Sequence, residues 1–298
     1  MSEHAPYRGR FAPSPTGPLH LGSLATAVGS YLDARIHQGQ WLVRIEDIDP
    51  QRCKPEWTQR ILHSLAVHGL VSDEPPVLQT TRTPAYQRAL NALSHAGLTY
   101  PCACTRQDIE AANASRGFGE NRIYPGTCAQ GMPKGKTARS IRFRCPKATI
   151  EWQDHRLGQF IDLLSQTSGD FVLLRGDGAW AYHLAVVVDD AASEVTHIVR
   201  GDDLADTTAR QLALFDALQK PRPAYWHLPV ILAVDGQKLS KQTGAKALDD
   251  NTPVDNLNAV WKHFGFDALR AKTPAQWREL AAENWAVYRA KTAHQTNY

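Results

Sequence analysis

No stretch of about twenty apolar residues occurs in this 298-residue chain, so nothing in it reads as a helix that crosses a bilayer. The first residues, Met-Ser-Glu-His-Ala-Pro-Tyr-Arg, lack the apolar core of a secretory leader, and the expectation is a cytoplasmic protein. Internal repeats and low-complexity tracts are also lacking, which excludes a solenoid or a linker-dominated chain. Charge of one sign is scarce: 33 basic residues against 30 acidic ones leave a net charge of +3 and a pI near 8.6, compatible with nucleic acid without demanding it. Five cysteines are few, and in a reducing compartment they do not make a disulfide framework. Three of them fall in one segment, which points to metal. With 43% hydrophobic residues the chain has ample material for a core, and its length allows one large or two modest domains.

Two separated segments carry the chemistry. The first, Arg10-Phe-Ala-Pro-Ser-Pro-Thr-Gly-Pro-Leu-His-Leu-Gly-Ser23, reads as a short strand, a proline-stiffened turn and a helix beginning near Gly22. Leu24, Val28, Tyr31 and Leu32 fall at i, i+4, i+7 and i+8, the spacing of one helix face. Gly17 and Gly22 permit close approach of a ligand. The free N–H groups and positive dipole end of such a helix form an anion site, with His20 beside it as a donor to phosphate. The second segment, Lys238-Leu-Ser-Lys-Gln242, places Ser240 between Lys238 and Lys241 in a loop set off by Gly236 and Gly244. Such a loop can close on the charge that develops at an α-phosphate or on departing pyrophosphate. Either segment alone is weak evidence, and the pair in this order describes a machine for splitting ATP.

Between them, Gln40-Trp-Leu-Val-Arg-Ile-Glu46 reads as a buried strand ending in carboxylates, where open α/β sheets place their ligand crevices. Trp57 to Gly69 and Pro84 to Ala96 read as helices, so strand, helix, strand, helix implies a parallel sheet. Tyr100 to about Cys145 breaks the rhythm with Gly, Pro and Cys and reads as an inserted, loop-rich unit. Trp180 to Asp189 and Val195 to Arg200 read as strand-like apolar runs, and Thr207 to Leu218 as a helix. Helices are expected from Thr252 onward, with Pro253 near one start and Thr273-Pro near another. The expected domains are 1–99 and 146–248 as halves of one nucleotide-binding catalytic unit, 100–145 as the insert, and 249–298 as a C-terminal helical region.

Within the insert, Cys102-Ala-Cys104 and Cys128 supply three thiols that can converge on one ion. Zinc favours such tetrahedral thiolate coordination. The spacing alone leaves open ordinary buried thiols, or His155 or Cys145 as a fourth ligand; Cys53 and Cys145 otherwise read as ordinary thiols.

The two ATP segments resemble the class I aminoacyl-tRNA synthetases, with His20-Leu-Gly-Ser23 for their His-Ile-Gly-His signature and Lys238-Leu-Ser-Lys-Gln242 for Lys-Met-Ser-Lys-Ser. Arg10-Phe-Ala-Pro-Ser-Pro-Thr-Gly17 is similar to the glutamyl and glutaminyl branch. Ser23 replaces the second histidine, so it can donate a hydrogen bond but carries no charge. The resemblance implies a Rossmann-like parallel sheet with a loop-rich zinc-binding insert and a short C-terminal helical region. It makes His20, Lys238 and Lys241 catalytic, and His20, Gly22, Ser23, Ser240 and Lys241 the ATP contacts. Arg10, Ser14, Glu46, Tyr182 and Arg200 match positions that bind glutamate in that branch. The chemistry fits: guanidinium groups suit bidentate pairing with carboxylates, two arginines meet two carboxylates, and Glu46 can receive the α-ammonium. Arg200-Gly-Asp-Asp-Leu204 is similar to the branch's Arg-Gly-Glu-Asp stretch, with Asp202 and Asp203 placed to bind ribose or brace the pocket.

The insert ends in Tyr124-Pro-Gly-Thr-Cys128, which resembles short paralogues of this branch in which the tyrosine oxygen is a metal ligand. The implied ligand set is Cys102, Cys104, Tyr124 and Cys128 around one structural Zn2+, with Mg2+ accompanying ATP. About fifty residues follow Gly244, so the expectation is a chain without a large anticodon-binding region. The short paralogues activate L-glutamate with ATP and without tRNA, then pass it to the cyclopentenediol of queuosine in the anticodon loop of tRNA(Asp). Two alternatives stand beside that expectation: a compact glutamyl-tRNA synthetase charging tRNA(Glu), and an inactive tRNA-binding paralogue. A monomer is the default, with no membrane partner.

Overall fold

The computed structural model describes residues 6–115, 123–232 and 245–293. The lysine loop, with Lys238, Ser240 and Lys241, lies outside the described residues. The chain begins with β1 (Arg8–Phe11), α1 (Leu21–Ile36), β2 (Gln40–Ile45), α2 (Pro55–Val67), the short β3 (Val77–Leu78) and α3 (Thr83–His95). Strands β1, β2 and β3 pair in parallel in that order. The alternation of strand and helix seen in the sequence therefore yields the parallel sheet expected from it.

The chain then leaves this layer through β4 (Thr99–Cys102), α4 (Arg106–Ser115) and β5 (Ser140–Phe143), follows with the hairpin β6 (Ile150–Asp154) and β7 (Gly158–Asp162), and continues through α5 (Leu164–Thr167) to β8 (Val172–Arg175). Strands β4, β5 and β8 form a separate antiparallel sheet that carries the cysteine segment. Next come α6 (Tyr182–Ala192), β9 (His197–Gly201), α7 (Thr208–Ala217) and β10 (Ala224–Leu228). Strands β9, β10 and β6 run parallel, with β7 antiparallel at the edge. The Thr196 N–H donates to Arg8 O at 3.0 Å, which sets β9 beside β1 and joins the two parallel groups. The C-terminal ends of β1, β2 and β9 thus open on one crevice.

Helix α1 is buried from Leu24 to Ala34 except at Thr26, because the sheet covers one side and α8 (Pro253–His263) and α9 (Pro274–Thr292) cover the other. Trp261, Trp277 and Trp285 are fully buried in that second contact. Thr273 caps α9 by accepting the Gln276 N–H at 3.2 Å, with Pro274 in the first turn, as the sequence indicates.

One expectation fails. Trp180 to Asp189 is not a strand; most of it is α6. Three successive valines raise strand propensity, but tertiary packing against α3, α7 and β8 buries the helix on several sides, and an all-round apolar helix shows no face. The adjacent acids contradict a half-buried strand: Asp189 and Asp190 are both buried, and they serve different partners.

Candidate active site

A cavity of about 450 Å³ lies at the crevice, and Arg10, Ser14, His20, Gly22, Ser23, Glu46, Tyr182 and Arg200 all line it. These residues come from six places in the chain, with His20, Gly22 and Ser23 at the start of α1. Arg10 stands on β1, Ser14 in the turn after it, Glu46 at the end of β2, Tyr182 at the first position of α6 and Arg200 on β9. The Glu46 N–H donates to Pro13 O at 3.0 Å, which draws the proline turn against the strand end. A second cavity of about 1100 Å³ shares Ser14, Thr16, Glu46 and Tyr182 with the first and extends to the antiparallel sheet, past Arg52, Arg106, Lys136, Arg139 and Arg175.

His20 is the N-cap of α1. Its Nδ1 accepts the Ser23 N–H at 3.2 Å, while its own backbone N–H donates to Ser23 Oγ at 2.8 Å. This reciprocal capping box fixes the ring and, with Nδ1 accepting, places the neutral imidazole proton on Nε2. Ser23, read from the sequence as an uncharged hydrogen-bond donor in place of a histidine, thus orients His20. The helix behind them is 16 residues long, so its N-terminal partial charge is fully developed.

The structure adds residues that the sequence reading missed. Arg10 donates from Nε and Nη2 to Asp190 at 3.1 and 3.4 Å. Arg44 donates from Nη1 to the same carboxylate at 2.5 Å and from Nη2 to Glu46 Oε1 at 3.3 Å. Arg10, Asp190, Arg44 and Glu46 form one buried chain of alternating charge. Burial pushes the Glu46 carboxyl up, and Arg44 and Arg10 work against that push; Asp190 is held below the usual carboxylate range despite burial because both guanidinium groups face it. A signal existed: two acids inside an apolar run must be paired if the run is buried. Asp189 has a different set, accepting from Gln79, Arg82 and Tyr86. Burial raises the Tyr182 hydroxyl, so it stays a neutral donor. Asp202 pairs with Arg156 at 2.6 Å and accepts the Val230 N–H, a bracing role, whereas Asp203 lines the cavity.

The proposed metal ligands also meet. Cys104 Sγ lies 3.7 Å from Cys128 Sγ, and all three thiols lie within 4.8 Å of one another. A tetrahedral zinc with arms of about 2.3 Å separates its sulfurs by about 3.8 Å, so the thiol spacing fits the ion. Tyr124 Oη is 3.3 Å from Cys102 Sγ and 3.8 Å from Cys104 Sγ, at the fourth corner. Burial raises Cys102, but hydrogen bonds from Tyr124 and Arg142 outweigh it and bring the thiol down to about 7. Burial raises Cys104 to about 11 and keeps the Tyr124 phenol protonated in the absence of a cation. The Arg142 guanidinium stacks 3.7 Å above the Tyr124 ring and donates to Cys102 Sγ, which favours an anionic ligand set. Gly169 holds this corner: at φ +64° it passes so close that an added Cβ would sit 2.5 Å from Tyr124 O. The other candidate ligands are occupied elsewhere, Cys145 Sγ on Gly169 O and His155 Nε2 on Arg289 O.

With this geometry in place, similarity to known proteins is informative. Residues 7–284 match the model of the catalytic domain of class I tRNA synthetases (E and Q). The glutamyl-Q tRNA(Asp) synthetase of Cupriavidus metallidurans is 50% identical over 283 residues, covering 94% of this chain and 91% of that protein. The protein of the same name from Burkholderia cenocepacia is 51% identical over 266 residues, covering 88% of this chain and 89% of that one. Among solved structures, a glutamate-tRNA synthetase from Elizabethkingia anophelis superposes with a TM-score of 0.78 at 27% identity. The match takes in 92% of this chain but only 65% of that one, so the chain spans just under two thirds of that solved enzyme's length.

Proposed function

This chain belongs to the class I tRNA synthetases (E and Q), and from that premise we propose that it activates L-glutamate with ATP, without tRNA, and transfers the glutamyl group to the queuosine cyclopentenediol in the anticodon loop of tRNA(Asp). One observation carries the reading: two buried arginines, a buried carboxylate and a capped helix N-terminus with a donor histidine converge on one cavity. Arg10 and Arg200 suit the two carboxylates of glutamate, Glu46 its ammonium group, and Ser14 and Tyr182 complete the contact. The relatives' names supply the acceptor, at about half identity over most of the chain.

In the first step an oxygen of the α-carboxylate attacks the α-phosphorus of ATP. The new C–O–P bond forms as the bond to the bridging oxygen breaks, and pyrophosphate leaves with the electron pair. His20 Nε2–H and the N-terminus of α1 stabilise the charge on the phosphates, and Lys238 and Lys241 neutralise the departing pyrophosphate. ATP enters as its magnesium complex. No side-chain nucleophile is needed; the protein supplies orientation and field. In the second step a hydroxyl of the cyclopentenediol attacks the carbonyl carbon of the adenylate, an ester forms, and AMP leaves. The 1100 Å³ cavity with its basic rim adjoins the amino-acid pocket and suits an RNA loop that enters from the side of the insert. The residues Cys102, Cys104, Tyr124 and Cys128 would hold a zinc ion, which would brace the 100–145 insert bordering that cavity.

ATP–pyrophosphate exchange with glutamate in the absence of tRNA, followed by labelled-glutamate transfer to tRNA(Asp) with and without queuosine, tests the reading. Exchange without tRNA and transfer only to the queuosine form supports it. Exchange that requires tRNA(Glu) overturns it in favour of ordinary glutamylation, the activity that the solved neighbours' names indicate for those proteins.

A further inference from the structure

Arg200 is held by a buried relay that no motif announces. Its Nε–H donates to His227 Nε2 at 3.0 Å, Nη1 to Gln211 Oε1 at 2.7 Å, and Nη2 to Thr208 Oγ1 at 2.8 Å and Leu204 O at 3.2 Å. Behind it, His227 Nδ1 meets Asp154 Oδ2 at 2.6 Å, and both residues are completely inaccessible to solvent. Asp154 also accepts the backbone N–H groups of His227, Arg156 and Leu157. Three backbone N–H donors on one carboxylate keep it ionised, so it claims the imidazole proton at Nδ1. Nε2 is then a bare lone pair, the state that can accept from a guanidinium. The opposite tautomer, or a charged ring, would set an N–H against the Arg200 Nε–H.

A guanidinium has five N–H groups, and four of those on Arg200 are taken by these partners. One Nη1 hydrogen remains among the described residues. Arg10 differs: Asp190 takes its Nε hydrogen and one Nη2 hydrogen, and among the described residues the Nη1–Nη2 edge is left for a two-pronged contact with a carboxylate. A single donor tolerates little angular error, so Arg200 depends on its supports more than Arg10 does.

We infer that the buried Asp154–His227 pair is a positioning device for Arg200, locking its guanidinium by an imposed histidine tautomer so that one N–H is aimed at a carboxylate of the amino-acid substrate. The inference rests on the assignment of the cavity to glutamate. A purely structural alternative exists, since Asp154 sits on β6 and His227 on β10 and the pair staples those strands.

Three variants separate the two. His227→Leu removes the acceptor at similar size. His227→Gln restores an oxygen that can accept from Arg200. Asp154→Asn retains the shape but can donate to Nδ1, which allows the opposite tautomer. Each is taken to thermal unfolding, to calorimetric titration with glutamate and with ATP, and to long-range 1H–15N spectra of 15N-histidine protein, with His227 assigned by its loss in His227→Gln. The expected result is an Nδ1–H tautomer for His227 in the wild type, a glutamate Kd raised roughly tenfold to a hundredfold in His227→Leu and Asp154→Asn, substantial recovery in His227→Gln, and unchanged ATP affinity. Folded His227→Leu or Asp154→Asn protein with wild-type glutamate affinity overturns the inference, as does an Nε2–H or charged His227 at pH 7.5. If His227→Leu does not fold, the other two variants and the wild-type spectrum decide. A wild type that shows the Nδ1–H tautomer but binds no glutamate removes the glutamate assignment and the aim of Arg200 with it, whereas a wrong tautomer with normal glutamate binding removes the relay alone.

Discussion

Replacing Asp190 by Asn removes one negative charge from a place that water does not reach. Asp190 is 0% exposed, and Arg10 and Arg44 on either side of it are 4% exposed each. The carboxylate accepts from Arg10 at 3.1 and 3.4 Å and from Arg44 at 2.5 Å. Asparagine keeps the volume and one acceptor oxygen, so packing is preserved and electrostatics are isolated. Breaking one partner out of a buried ionic cluster costs about 3–5 kcal/mol. Part of the loss is returned by Glu46, whose carboxyl is raised in part by Asp190 and ionises more readily next to Arg44 once that charge is gone. The expected loss is therefore at the lower end, about 3 kcal/mol, read as a fall in the urea midpoint at constant m-value. Arg10 also loses the contacts that orient it toward the cavity, so the glutamate Kd should rise roughly tenfold or more, the scale of a charge-assisted hydrogen bond. A loss of stability below about 1 kcal/mol together with an unchanged glutamate Kd would refute the claim that Asp190 anchors the pocket.

Cys104→Ser should lower bound zinc from about one equivalent to a small fraction of that, as measured by plasma mass spectrometry, because a hydroxyl is a far weaker zinc ligand than a thiolate; unchanged metal content would remove the ligand set. His183 is half-buried near Arg210 and Arg200, and desolvation first, then those charges, lower its pKa from 6.5 to about 3. The unfolded chain therefore takes up this proton first, and stability is complete above pH 6.5 and falls as the pH drops toward 3. From pH 7 to pH 5 the expected loss is about 2 kcal/mol, and His183→Gln should abolish that share of the slope in denaturant titrations at the two pH values. Lys241→Ala should slow adenylate formation by roughly a hundredfold or more, and retention of wild-type pyrophosphate exchange would take Lys241 out of the mechanism.

Much of the site was legible because its motifs are local. A proline-stiffened turn, a helix start and the carboxylate at the end of a strand each occupy a few consecutive residues, so backbone sterics and dipoles dictate their form wherever they occur. The helix starts at Pro253 and Thr273 were legible for the same reason. The strand assigned to Trp180–Asp189 failed because a helix buried on several sides presents no polar face, and propensity then points the wrong way.

The amino-acid sequence by itself determined the family resemblance, the parallel α/β architecture, the residues proposed to contact glutamate and ATP, and the four candidate metal ligands. Only the tertiary structure decided how those side chains are held. Arg10 meets Asp190 across 180 positions, and Asp154 meets His227 across 73. No local pattern encodes such pairs. They arise because the sheet brings distant strand ends to one crevice, where burial makes an unpaired charge too costly to keep and so pairs the buried carboxylates with buried cations or hydrogen-bond donors.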